Sequence, residues 1–234
     1  MEPRTVLQTT CHAIAGTALA AWSCGVLAQE QCGPLDAAGI QRCRSGVAPE
    51  DVRRMAAVQE RRNWCWAASI SMIFAHHGYT LTQERIAREQ PADAADRGAL
   101  PLDITRLLDQ TWQDAHGRSF LASVRAGREP GRRFQFGNDT VIRELIAQRP
   151  LMIGTLGHAM VLVAVEYERF TVQDAVRITG GTVIDPWPLQ GVRRLKPAEL
   201  SPTYVAAVRV SGSWAAAPAI GQQAIATDGA PSIH

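Results

Sequence analysis

The sequence predicts an α+β fold in which a helical N-terminal lobe packs against an antiparallel β lobe formed by the C-terminal part of the chain. Before Pro150, apolar residues recur at helical spacing, as in the series Trp66, Ile70, Ile73 and Phe74. After Pro150 the period changes to short, valine-rich runs that are typical of strands. Helices first and strands later indicate two packed lobes.

Four helices are expected in the first lobe. The most strongly patterned one begins at a cap on Asn63 and ends at Gly78, and its many small and apolar residues predict that it is buried. A second helix is expected over residues 82–89, and a third is expected to begin near Pro101. A fourth is expected to be capped by Asn138 or Asp139 and to end at Gln148.

The strands are expected later in the chain. Runs over residues 151–156, 159–165 and 204–210 predict three of them, and Gly180-Gly181 between two further runs is a two-residue hairpin signal. The rest of the domain plan is a signal peptide over 1–28, an irregular N-terminal arm over 29–50, a folded domain over 51–210 and a loosely ordered tail over 211–234. Residues 113–137 are rich in Arg and Gly and predict a long surface connection.

Composition excludes several classes of protein. The chain has 234 residues, 24 Lys and Arg against 22 Asp and Glu, and 46% hydrophobic residues. A net charge of +2 offers no concentrated basic face for nucleic acid, and the hydrophobic content is far from that of disordered proteins. No segment reaches the ~18 uninterrupted apolar residues of a membrane span. No cofactor or metal site is predicted.

The N-terminal segment resembles an export signal. An uncharged stretch over 13–28 ends in Val26-Leu27-Ala28, where small residues suit cleavage after Ala28. The alternative is an uncleaved helix or a start codon placed too early. In an oxidising compartment Cys32 and Cys43 are expected to pair, unless both remain free, and Cys65 is then left over.

Cys65 stands at the start of the buried helix, where the positive end of the helix lowers a thiol pKa. His158 follows a glycine at the head of a strand and is the best candidate base, although such a histidine is often a plain core residue. Asp185 ends another strand and could orient the imidazole, or simply start a turn. Gln59, six residues before Cys65, could donate to an oxyanion or lie in solvent.

These residues resemble a known family. The run QERRNWCWAA over 59–68, followed by Gly157-His158 and then Asp185-Pro186-Trp187, is similar to the papain-like cysteine peptidases. The likeness is greatest to compact bacterial branches, such as secreted papain-like effectors and bacteriocin-processing peptidase domains. It implies a two-lobed papain-like fold and a protein or peptide substrate. It further implies that Cys65 is the nucleophile, that His158 is the base and that Asp185 orients the base. Gln59 is then expected to be the oxyanion donor, and the indole of Trp187 is expected to shield the hydrogen bond between His158 and Asp185.

The chain departs from the plant and lysosomal members of that family. Those members have Asn in place of Asp185, and Gly and Gly-Ser where this chain has Glu60 and Asn63-Trp64. Two other functions stay open at this point. The same residues can transfer an acyl group to an amine, as in a crosslinking enzyme, or the fold can be a non-catalytic binding module. Substrate specificity and oligomeric state do not follow from the sequence.

Overall fold

The computed structural model describes residues 30–90, 96–128 and 137–212. Its helices are α1 (Pro49–Met55), α2 (Cys65–His76), α3 (Gln83–Ala87), α4 (Pro101–Leu107) and α5 (Asn138–Ile146), with a 3₁₀ turn at Pro197–Glu199. Its strands are β1 (Gln31–Leu35), β2 (Ile40–Gly46), β3 (Thr111–Gln113), β4 (Ser119–Arg128), β5 (Leu151–Thr155), β6 (His158–Phe170), β7 (Ala175–Asp185), β8 (Gly191–Arg194) and β9 (Tyr204–Gly212). The expected signal peptide and residues 213–234 of the expected tail lie outside the described residues.

All nine strands belong to one antiparallel sheet, which branches at β6. The main path runs β1-β2-β6-β5-β9-β4-β3, and β7 pairs with both β6 and β8. Along one edge of β6, β5 pairs with the first residues and β2 with the later ones, while β7 occupies the other edge. The start of β6 and the end of β7 therefore lie side by side, so that His158 and Asp185 are brought to the same end of the sheet.

Helix α2 is the centre of the helical lobe. Eight of its residues are buried, namely Trp66, Ala67, Ala68, Ser69, Ile70, Met72, Ile73 and Phe74. A helix that is apolar on all sides needs cover on all sides. The sheet supplies part of that cover, since α2 packs against β6 and β5, and α1 and α3 pack on its other sides. The predicted α+β fold is confirmed, and α2 is buried as its composition predicts.

The helices lie close to their predicted positions, but two caps differ. Helix α2 has Trp64 as its N-cap, with no side-chain hydrogen bond, and Asn63 instead donates to the backbone carbonyl of Asp96 at 2.9 Å. Helix α5 is preceded by Gly137 as its N-cap, one residue before the predicted choices. Helix α1 was not expected. No helix in the described ranges is long and apolar enough to cross a membrane.

The prediction of an irregular arm over 29–50 is wrong. Strands β1 and β2 form a hairpin, and β2 continues the sheet through pairs from Ile40–Phe170 to Gly46–Ala164. Strand β1 is exposed along its whole length, so it lacks the alternation that would reveal a strand. The expected disulfide between Cys32 and Cys43 is confirmed, and it joins the two strands of this hairpin.

The predicted turn at Gly180-Gly181 is also wrong, because both glycines lie inside β7. A Cβ on Gly180 would collide with the carboxylate of Glu166, and one on Gly181 would come within 2.8 Å of Leu195. The strand pairing is also irregular here, with a shift between Glu166 and Tyr167. Glycine is needed for close approach and not for a turn.

The stretch 113–137 is only partly a connection. Strand β4 occupies residues 119–128 and pairs with β9 over nearly its whole length. Its Arg and Gly content made the stretch resemble a loop. Long-range pairing with a strand some eighty residues later overrides that local preference.

Candidate active site

Cys65 is the first residue of α2, and its thiol faces the start of β6. Burial by itself disfavours the thiolate. Interactions with the imidazole of His158 and with the backbone N–H groups of Ala159 and Trp66 outweigh burial, so the pKa of Cys65 lies below its ordinary value. The sulfur is therefore prepared to exist as the nucleophilic thiolate.

His158 is placed by a two-residue turn. Leu156 and Gly157 have φ values of 51° and 76°, and Thr155 pairs with His158 directly across the turn. Positive φ at both central positions is the geometry of a type I′ turn, whose twist matches that of the strands it connects. The turn sets His158 at the first position of β6, where the side chain is half-buried and faces the thiol.

Asp185 completes a chain of hydrogen bonds behind His158. It ends β7, is 4% exposed, and its Oδ1 lies 2.7 Å from His158 Nε2. The same oxygen accepts the backbone N–H of Trp187 at 2.9 Å. Since Nε2 is engaged by Asp185, the other ring nitrogen, Nδ1, is the one left to meet Cys65.

The pKa values of the histidine and the carboxyl move apart. Burial disfavours the imidazolium, but hydrogen bonds to Asp185 and Cys65 outweigh it and raise the pKa of His158 to about 9. Burial likewise disfavours the Asp185 carboxylate. Hydrogen bonds from His158, the Trp187 N–H and Arg193 outweigh that effect and lower the pKa of Asp185 to about 2. At neutral pH His158 is thus an imidazolium and Asp185 a carboxylate, and the lowered pKa of Cys65 favours the thiolate beside them.

Gln59 is 7% exposed, and its side-chain amide is turned toward the loop that leads into α2. Its Nε2 donates to the backbone carbonyls of Arg61 at 2.9 Å and Arg62 at 2.6 Å. Both amide hydrogens are therefore engaged. Gln59 can donate to an oxyanion only by exchanging one of these carbonyls for the substrate oxygen.

The segment that carries Gln59 is held by a glutamine that sequence reasoning missed. Buried Gln83 accepts the Glu60 N–H at 2.9 Å and donates to the Val58 carbonyl at 2.8 Å. Gln59 itself donates its backbone N–H to the Pro186 carbonyl at 2.9 Å, which ties this segment to the residue after Asp185. No sequence signal marks Gln83, because a glutamine on a short helix usually faces solvent.

Two tryptophans and a small cavity shape the surroundings. The Trp187 ring meets the His158 ring edge-on at 6.1 Å, as expected of an indole that covers the imidazole, and it remains 44% exposed. Trp66 is buried and donates its indole N–H to the Arg97 carbonyl at 3.1 Å. Beside Cys65 and His158 lies a cavity of about 130 Å³, whose other lining includes the small residues Gly98, Ala99, Gly154, Gly157 and Ala159.

Arg193 lies at the site but is not among the site residues predicted from the sequence. Arg193 on β8 donates from Nε to Asp185 Oδ2 at 2.8 Å, on the side opposite His158. The sequence shows only an Arg193-Arg194 pair, and the fold turns Arg193 inward while Arg194 stays exposed. Alternation along a strand requires one of the two to face inward, but does not say which.

The only metal-like cluster in the described residues lies elsewhere. Glu30, Cys32 and Cys43 come close enough to share an ion. Both sulfurs are joined in the disulfide, however, and a disulfide sulfur is not the thiolate that binds metals.

Similarity to known proteins identifies the family to which the chain belongs. One solved structure, titled "Crystal structure of a double glycine motif protease from AMS/PCAT transporter in complex with the leader peptide", is 16% identical, with a TM-score of 0.37. The alignment covers 68% of this chain and 91% of the other. No curated protein matches the chain significantly. The family model described as papain-like cysteine protease AvrRpt2 matches residues 47–194, more than half of the chain, which therefore belongs to this family of papain-like cysteine peptidases.

Proposed function

We propose that the protein hydrolyses peptide bonds through a triad of Cys65, His158 and Asp185, with Gln59 as an oxyanion donor. The observation that supports this most strongly is that Cys65 and His158 line the same cavity while Asp185 Oδ1 lies 2.7 Å from His158 Nε2. Each member lies at the end of a different element, and two of them, Cys65 and His158, line one cavity. Few arrangements other than nucleophilic catalysis require a thiol, an imidazole and a carboxylate in this order.

In the first half of the reaction the Cys65 thiolate attacks the carbonyl carbon of the scissile bond. A C–S bond forms, and the carbonyl π electrons move onto oxygen. When the tetrahedral intermediate collapses, the C–N bond breaks and the imidazolium of His158 gives its proton to the departing amine. The pKa of about 9 suits His158 to this step, because the ring carries that proton at neutral pH.

In the second half, water removes the acyl group. Neutral His158 accepts a proton from the water as the oxygen attacks the thioester carbonyl, and the C–S bond then breaks to restore the thiolate. Asp185 keeps Nε2 protonated and stabilises the imidazolium each time it forms, without taking the proton itself.

The oxyanion is proposed to lie between the Cys65 backbone N–H and the Gln59 side chain. The Cys65 N–H lies in the first turn of α2, where helix N–H groups have no partner within the helix. Gln59 would join it by releasing the Arg61 or Arg62 carbonyl when substrate binds.

We further propose that the chain is exported and that its substrate is a peptide or protein encountered outside the cytoplasm. The apolar, uncharged stretch over 13–28 supports export. The disulfide between Cys32 and Cys43 is consistent with it, since such bonds persist in oxidising compartments.

Cleavage of a peptide library by wild type and by Cys65→Ala tests the proposal. We expect turnover in the wild type and none in Cys65→Ala, with both variants giving the same circular dichroism spectrum. Ser71→Ala, on the same helix with its hydroxyl on the Leu81 carbonyl, is the matched control and should keep its activity. Hydrolysis that survives in Cys65→Ala rejects the assignment of the nucleophile. Products that carry an added amine instead of water would identify an acyltransferase.

A further inference from the structure

Arg193 is held in place by more hydrogen bonds than a surface arginine makes. Its side chain is 15% exposed, and every guanidinium nitrogen donates to a partner. Nε meets Asp185 Oδ2, while Nη1 and Nη2 form a fork onto the two carboxylate oxygens of Glu199, each bond measuring 2.8 Å. The remaining donors reach the Arg194 carbonyl and the sulfur of Met160. The guanidinium therefore joins two buried carboxylates, Asp185 and Glu199.

Glu199 is itself fixed from its other side. It lies on the 3₁₀ turn after β8, and its Oε2 accepts the Lys196 backbone N–H at 2.7 Å. The carboxylate cannot rotate without losing both this bond and the fork. The result is a rigid path from the 3₁₀ turn through Arg193 to Asp185, and from there to His158.

We propose that Arg193, anchored by Glu199, is a positioning residue of the active site, which holds the Asp185 carboxylate so that Oδ1 faces His158 Nε2. The proposal rests on the function assigned above to Cys65, His158 and Asp185. Arg193 acts through Asp185 and is not itself a catalytic residue.

The position of Arg193 matters because each oxygen of Asp185 has its own donors. Oδ1 takes the imidazole and the Trp187 N–H, and Oδ2 takes the guanidinium. When Arg193 is replaced, Asp185 Oδ2 loses a charged hydrogen-bond donor. The carboxylate is then free to turn away from the His158 ring. The imidazolium would then be stabilised less, and with it the thiolate that it pairs with.

The direction of the pH effect follows from the charges around Asp185. The groups that face it are His158 from β6, Arg193 from β8 and, beyond the arginine, Glu199 from the 3₁₀ turn, while Cys65 on α2 is reached through the imidazole. Loss of the Arg193 cation leaves two carboxylates near one another and removes a positive charge from the site. Both changes favour protonation of Asp185 and Cys65, so the acid limb of activity moves to higher pH.

The molecule contains a matched control. Arg209 on β9 makes the same two-bond fork onto Glu144 of α5, at 2.6 and 2.8 Å. Glu144 is also bound by Arg149, and among the described residues this network has no hydrogen bond to Asp185 or His158. A substitution of Arg209 removes a comparable arginine–glutamate pair without touching the site.

The test compares Arg193→Met and Arg193→Lys with Arg209→Met and Arg209→Lys in the full-length chain. Three quantities are measured for each: kcat and KM per folded molecule, the acid limb of the activity profile, and the pH dependence of Cys65 alkylation by iodoacetamide, followed on the Cys65 peptide by mass spectrometry. Arg193→Met should lose about tenfold or more in kcat with KM little changed, and its acid limb should move to higher pH. Arg193→Lys should recover part of both effects, since it keeps the charge but not the fork.

The Arg209 variants should stay within about twofold of wild type in kcat, with an unmoved acid limb. The proposal is overturned if Arg193→Met keeps its kcat and its acid limb, or if the Arg209 variants lose as much. If Arg193→Met does not fold, Arg193→Lys decides by the same comparison with Arg209→Lys. The alkylation measurement distinguishes a failure of this proposal from a failure of the proposed function. Absence of peptidase activity in the wild type would reject the proposed function. A Cys65 alkylation curve that moves to higher pH in the Arg193→Met variant would still support the positioning of Asp185 by Arg193.

Discussion

The two sides of the active site differ in how completely their polar groups are paired. On the base side, His158 and Asp185 are bonded to each other, and both oxygens of Asp185 have additional donors. On the oxyanion side, the described part of the chain offers no hydrogen-bond partner to two buried polar atoms, Gln59 Oε1 and Trp64 Nε1. A buried polar atom without a partner costs roughly 1–3 kcal/mol.

The contrast indicates that the two sides do their work differently. The base side is preorganised, because its hydrogen bonds already have the arrangement that the imidazolium needs. In the proposed mechanism the oxyanion side changes partners on substrate binding, since the Gln59 amide donates to the Arg61 and Arg62 carbonyls in the structure. Substitutions on the base side should therefore act mainly through proton transfer and pKa, and substitutions on the oxyanion side through kcat without a change in pKa.

The largest effect that tests this contrast is expected on the base side. His158→Ala should lower kcat by roughly 10⁴-fold, because it removes the group that transfers every proton. Asp185→Ala should lower kcat by a smaller factor, roughly 10²-fold, because Asp185 is proposed to orient the ring and to transfer no proton. Single-turnover kinetics on folded protein measures both losses. Equal losses, or a larger loss in Asp185→Ala, would contradict these roles.

A smaller effect is expected on the oxyanion side. Gln59→Ala should lower kcat by roughly 10²-fold at unchanged pH dependence, because one donor to the oxyanion is lost while the thiolate and imidazolium remain paired. Gln148→Ala is the matched control. Gln148 is a half-buried amide away from the site that bonds several backbone groups, among them the Ala48 N–H at 2.8 Å and the Gly46 carbonyl at 2.9 Å. If the loss of kcat in both variants is fully explained by a smaller fraction of folded protein, then Gln59 stabilises the loop at 61–62 and does not bind the oxyanion.

Much of the site could be predicted from the sequence, because its members lie at recognisable element ends. Cys65 begins a strongly patterned helix, His158 follows a glycine at a strand start, and Asp185 precedes a proline that stops a strand. Local signals of this kind survive folding, since the geometry of a turn or helix end is set by neighbouring residues. The order of these three residues along the chain then gave the resemblance to the papain-like cysteine peptidases, which groups them into one predicted site.

What could not be predicted depends on contacts between distant residues. The inward direction of Arg193 follows from the pairing of β8 with β7, and the orientation of the Gln59 amide follows from the loop at 61–62. The β1–β2 hairpin was missed for a similar reason. Its exposed first strand has no core pattern, and β2 is defined by β6, which lies more than a hundred residues later. Gly180 and Gly181 show how a turn signal can mark close packing instead.

The central claim is that Cys65 and His158 form an ion pair, and its most direct test is the pH dependence of Cys65 alkylation beside that of hydrolysis. Since the pKa of Cys65 is lowered and that of His158 is raised to about 9, wild-type Cys65 should react at a lower pH than an ordinary thiol does. Above about pH 9 hydrolysis should fall as His158 loses the proton for the leaving amine, while alkylation continues. In His158→Ala the alkylation curve of Cys65 should move to higher pH, because the imidazole no longer opposes the effect of burial. Identical alkylation curves for wild type and His158→Ala would contradict the account.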